Sequence, residues 1–80
     1  SLGLKDLADK LGITQPKTLA IVLHLKVQDF EDYYKRIKIG KNEFKRYSSR
    51  ALDLLKKTLP EIDIEEIWAD YKAAKSKGQI

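Results

Sequence analysis

Residues Leu4 to Leu25 read LKDLADKLGITQPKTLAIVLHL, and the fold turns on how this stretch divides. Leu4, Leu7, Ala8 and Leu11 recur at the spacing of one helix face, with Lys5, Asp6, Asp9 and Lys10 between them. That pattern predicts a short amphipathic helix. Gly12 ends it, because glycine accepts the left-handed conformation that a helix C-terminus often needs. Ile13 is placed to plug the corner between two helices. Thr14 suits the cap of the next helix, and Pro16 suits its first turn, where a missing N–H costs nothing. Leu19, Val22 and Leu23 are expected as the buried stripe of this second helix, with Ile21 and Leu25 on its flanks. Two short helices around a tight corner make a helix-turn-helix.

Working outward, Leu25 to Asp32 is open to two readings. Either the second helix ends near Val27, or a short extra turn forms from Asp29; Phe30 is expected to cover part of the core. Tyr33 to Tyr47, YYKRIKIGKNEFKRY, predicts two strands around a turn within Gly40–Glu43, since Gly and Asn suit the positive φ of a hairpin turn. With Lys41 and Asn42 at the centre, Ile39 would lie opposite Phe44 and Ile37 opposite Arg46. That face would pack down on the body. Lys38 would then face Lys45 and Arg36 would face Tyr47 on a cationic second face. Ser48 or Ser49 caps a third helix to about Thr58, and Leu59-Pro60 breaks it. Asp63 caps a fourth, with Glu66 reaching back and Ile62 stapling on Ile67. Ile64, Ile67, Trp68, Tyr71 and Ala74 form its apolar side.

Size and composition narrow the classes. Eighty residues make one small domain, expected over 1–75 with a frayed tail at 76–80. A 42% hydrophobic and 35% charged content is that of a globular chain. The longest apolar run, Leu19 to Leu23, is too short to span a bilayer, so no membrane partner is expected. Without cysteine there is no disulfide and no thiolate metal site, which fits a cytoplasmic setting. The chain opens on Ser1 and has no Met; it reads as a piece of a longer protein.

The net charge of +4 is unevenly spread. Residues 33–58 hold nine basic and two acidic side chains, a net +7, whereas residues 59–74 hold one basic and five acidic, a net −4. The basic middle is a candidate polyanion footprint, the alternative being a solvated charged surface.

A recognition helix works when the first helix and the turn hold it proud of the body, so that its outer side enters the major groove. Here the outer residues would be Gln15, Lys17, Thr18 and His24, with Ile21 beside them. Gln15 suits an adenine edge, Lys17 a guanine or phosphate, and Thr18 a phosphate or thymine methyl. Like charges opposite each other on a ribbon destabilise it. Lys38 facing Lys45 would be relieved by phosphates, or the side chains could splay into water. Lys35, Arg36, Lys38, Lys41, Lys45 and Arg46 are the expected phosphate contacts. Tyr33, Tyr34, Phe44 and Tyr47 interleave with them, a pattern open either to stacking on single strands or to core packing.

LADKLGITQPKT resembles the segment L-A-x-x-L-G-[IV]-[ST]-Q-P of ArsR-type winged-helix repressors. FKRYSSRALDLL resembles the stretch after the wing in the MerR type, where a strand ends in Tyr-Ser and the Ser starts the next helix; those positions are Arg46, Tyr47, Ser48, Ala51, Leu52 and Leu55. The two resemblances span about Leu4 to Leu59. They imply a winged helix-turn-helix with a recognition helix beginning near Gln15 and a wing near Lys41; joined to the helices read above, the expected fold is mostly α, a winged helix-turn-helix with a two-stranded β-hairpin wing and two C-terminal helices. They further imply binding to double-stranded DNA, and the chain is expected to act as a transcription-regulating or targeting module of a larger protein.

A rival class is a protein-interaction module docking through its apolar helices. The Trp68 stripe could pack on the domain, or could meet a homodimer partner or other domains of the parent protein. An enzyme is not expected: His24 is the only histidine, and no nucleophile motif, phosphate-cradling glycine loop or metal-ligand spacing accompanies it. No cofactor is implied.

Overall fold

The computed structural model describes all residues from Ser1 to Ile80. Four helices and one antiparallel hairpin follow in the order α1 (Leu4–Leu11), α2 (Gln15–His24), β1 (Tyr34–Ile39), β2 (Asn42–Tyr47), α3 (Ser49–Thr58) and α4 (Ile64–Ser76). Single 3-10 turns at Val27–Asp29 and Leu59–Glu61 link α2 to β1 and α3 to α4. The domain is thus mostly helical.

Local chemistry explains the boundaries. The Gly3 N–H donates to Asp6 Oδ2 at 2.9 Å at the start of α1. Gly12 closes that helix in the left-handed region, at φ 71°. Thr14 Oγ1 accepts from the Lys17 N–H at 3.3 Å, with Pro16 in the first turn of α2. Ser48 Oγ accepts from the Ala51 N–H, and Asp63 Oδ1 from the Glu66 N–H. Each cap satisfies a backbone donor that the first turn leaves free. Two backbone bonds close the C-terminal end of α4. Gly78, at φ 73°, donates to Lys75 O, and the Gln79 N–H reaches Ala74 O at 2.9 Å, the paired bonds of a Schellman closure.

The core is small: 13 of the 80 residues are buried, so each large core side chain carries a sizeable share of the stability. Leu7, Ile21, Val22, Val27, Tyr47 and Leu55 are at its centre.

α2 is packed differently from the expectation. Its deepest residues are Thr18, Ile21 and Val22, with Ala20 also buried, while Leu19 and Leu23 are half-buried. Thr18, Ile21, Val22 and Leu25 fall on one face at helical spacing. A second face, carrying Leu19, Ala20 and Leu23, meets Ile67, Trp68 and Tyr71 of α4. The helix is held between α1 and α4 rather than standing proud. A helix that is apolar nearly all round is buried on several sides, and Leu19–Leu23 is such a run. The placement of Ile21 near the surface is therefore corrected. Phe30 also departs from expectation. It is 54% exposed and edge-on to Tyr33, with ring centroids 5.9 Å apart.

Candidate nucleic-acid interface

The hairpin is a ribbon rooted at one end and free at the other. At the root, Tyr34 pairs with Tyr47, their rings 5.2 Å apart, and both side chains are buried. Tyr47 Oη accepts from Gln28 Nε2 at 3.0 Å. Leu2 and Tyr47 exchange two backbone hydrogen bonds, of 2.8 and 2.7 Å. Arg46 Nη2 donates to Ser1 O at 2.7 Å, and its Nε donates to Ser1 Oγ at 3.1 Å. Burial pushes the Tyr47 hydroxyl above its usual pKa, against the pull of the Gln28 bond. Beyond the root, every residue from Lys35 to Lys45 is exposed.

The turn is Gly40–Lys41, with Gly40 at φ 62°. A left-handed residue is needed here, and glycine adopts it without steric cost. This is one residue earlier than the Lys41–Asn42 centre expected, and the pairing changes accordingly. Arg36 lies opposite Lys45, Ile37 opposite Phe44, Lys38 opposite Glu43 and Ile39 opposite Asn42. The expected Lys38–Lys45 pair is corrected. The two faces keep their members, because moving the turn by one residue shifts each partner by two, and side chains alternate with period two.

One face carries Arg36, Lys38 and Lys45 with Glu43, the ribbon's one acid. Arg36 Nε reaches Glu43 Oε1 at 3.5 Å. None of Lys35, Lys38, Lys41 and Lys45 is in an ion pair. The other face carries Lys35, Ile37, Ile39, Asn42, Phe44 and Arg46. It was expected to pack down, yet Ile39 is 64% exposed, because no helix lies beneath the outer ribbon. A cleft of about 620 Å³ at the root brings Lys10 of α1 beside Lys35 and Arg46. Lys10 was not among the expected contacts, since its distance from the hairpin in sequence hides a proximity made by folding.

The α2 residues fare differently. Gln15 and His24 are exposed at opposite ends of the helix. Lys17 Nζ is held by Glu65 Oε1 of α4 at 2.8 Å. Thr18 is 0% exposed and its Oγ1 donates to Thr14 O at 2.8 Å. Thr18 is therefore corrected from a groove contact to a core residue. The structure gathers the six cations onto one hairpin, with Arg36, Lys38 and Lys45 on one face, Lys35 and Arg46 on the other and Lys41 in the turn, and does not add a polar α2 face to them.

On α4, Trp68 stacks on Tyr71 with centroids 5.7 Å apart, and Lys72 Nζ lies 5.3 Å from the Trp68 ring centroid. This aromatic side leans on Leu4, Pro16 and Leu19. No helix is long and apolar enough to cross a membrane.

No curated protein and no solved structure matches the chain. Residues 1–73 match the model of a family described as a domain of unknown function, DUF8610. With that match running over most of its length, the chain belongs to the DUF8610 family.

Proposed function

We propose that this domain binds duplex DNA, and that the projecting cationic ribbon, rather than α2, supplies the grip. The observation that carries this is the set of four unpaired lysines on a ribbon standing clear of the body, beside Arg36 and Arg46. Arg36 directly opposite Lys45 is a like-charge pair that costs stability in the free protein. Phosphates between such side chains remove the repulsion and release counterions.

The order helix, turn, helix, hairpin, helix is compatible with a winged helix-turn-helix. In this version the wing carries the affinity. Gln15 and His24 are the α2 residues left to touch DNA, because Lys17 is tied to Glu65 and Thr18 is buried. Docking to a protein through the apolar helices has less to offer. The Trp68 side of α4 is turned toward α2, and Ile67 is buried there.

The test is a fluorescence-anisotropy titration of the whole chain with random-sequence duplex DNA at two salt concentrations. Binding that weakens steeply with salt supports the proposal; no binding at the lower salt refutes it.

A further inference from the structure

Ile37, Ile39 and Phe44 share one face of the ribbon, with Ile37 at the edge of the root cleft and Ile39 and Phe44 farther out. Ile37 is paired with Phe44, and Ile39 stands beside the turn. They are 40%, 64% and 45% exposed, respectively. Large apolar side chains on an open ribbon invite wrong association, so leaving three of them in water calls for an occupant.

The surrounding charge selects that occupant. Lys35 and Arg46 flank the apolar strip at the root, Lys41 stands in the turn, and Arg36, Lys38 and Lys45 project from the reverse face. Cations therefore lie on both faces and at the tip. A flat anionic membrane would meet one face only. Groove walls of phosphate flank an inserted ribbon on both sides.

Resting on the proposal that the ribbon binds duplex DNA, we infer that Ile39, backed by Ile37 and Phe44, is a wedge that opens the base stack from the minor groove and bends the duplex. The minor-groove floor is polar and offers little to aliphatic side chains. The broad apolar surfaces of a duplex are the base faces, reached only by partial unstacking. The undistorted minor groove is about 6 Å wide. Two strands about 4.8 Å apart with their side chains do not fit it. Entry thus requires the groove to widen, which a wedge between base steps accomplishes.

The experiment uses the whole chain and a duplex of about 30 base pairs carrying a donor and an acceptor dye at its ends. Saturation at low salt should shorten the end-to-end distance. Ile39→Ser should abolish the shortening, weaken binding about tenfold and leave the salt slope unchanged, since no charge is altered. Ile39→Phe should restore the bend. A duplex with a central mismatch should bind the wild-type chain more tightly than an intact one, and Ile39→Ser should erase that preference.

A bound duplex of unchanged length, with a steep salt slope retained, would overturn the wedge and leave the ribbon proposal standing. Absence of duplex binding at low salt would end both. Capture by phosphatidylserine vesicles that depends on Ile39, with duplex binding indifferent to it, would assign the face to lipid and overturn the wedge.

Discussion

Replacing Lys38 and Lys45 together with alanine removes two exposed cations that no acid neutralises. The ribbon carries four unpaired lysines, with Arg36 shared with Glu43 and Arg46 bonded to Ser1. Neutralising four to six phosphates gives a logarithmic salt slope of about −4 to −5. Giving up one phosphate should lower affinity about five- to sixfold at about 0.15 M salt, so the double variant should bind about thirtyfold more weakly and flatten the slope by about two. Glu43→Gln should act in the opposite sense. It frees Arg36 from its 3.5 Å partner and should raise affinity about fivefold. Thermal stability should change little in any of these variants, because exposed charges contribute about 0–1 kcal/mol. Lys56→Ala with Lys57→Ala, on the exposed C-terminal turn of α3, is the control. Anisotropy titrations over a salt series provide the readout. An unchanged slope in the ribbon variant, or an equal change in the α3 variant, would refute the assignment of the footprint to the ribbon.

Three further outcomes follow from the same packing. Thr18→Val should leave DNA affinity unchanged and cost about 1 kcal/mol of stability in urea unfolding, because it removes a buried hydroxyl bonded to Thr14 O without changing shape. Leu55→Ala, at a side chain with 0% exposure, should destabilise by about 2–5 kcal/mol, a loss large enough to appear as partial unfolding in far-UV circular dichroism at room temperature. Tyr47 gives a pH dependence. Burial raises its folded pKa, so above about pH 10 the native state holds a proton that the unfolded chain has released. Stability is complete below that pH and falls as the pH rises through the folded value. Urea midpoints at about pH 8 and about pH 11 should fall further apart in the wild type than in Tyr47→Phe.

Helix ends are legible in the chain because the residues that make them act locally. Gly12, Thr14, Pro16, Ser48 and Asp63 work through their own conformation or side chain, so neighbouring residues suffice to place them. The same holds for the α3 face, where Ala51, Leu52 and Leu55 recur at helical spacing and are buried. The hairpin is legible as two strands, but its register is not. Gly40 and Asn42 both suit a turn, and the structure uses Gly40 with Lys41. The choice between them changes every cross-strand partner while leaving both faces intact.

The α2 surface shows where one-dimensional reading ends. A single apolar stripe at Leu19, Val22 and Leu23 assumes one packing partner. The helix has partners on two sides, and Thr18, Ala20 and Ile21 are buried along with Val22. The apolar run Leu19–Leu23 is the signal in the chain for this. A polar Thr18 at its edge hides it, since its hydroxyl is satisfied within the helix by Thr14 O.

From sequence alone came the element types, their caps and the cluster of cations between Tyr33 and Thr58, because propensity, capping and charge are properties of a residue and its near neighbours. Tertiary structure alone decided which sides stay wet. It folded α4 across α2, paired Lys17 with Glu65 and left Ile37, Ile39 and Phe44 in solvent. Burial depends on what arrives from far along the chain, and no local pattern records which element that will be.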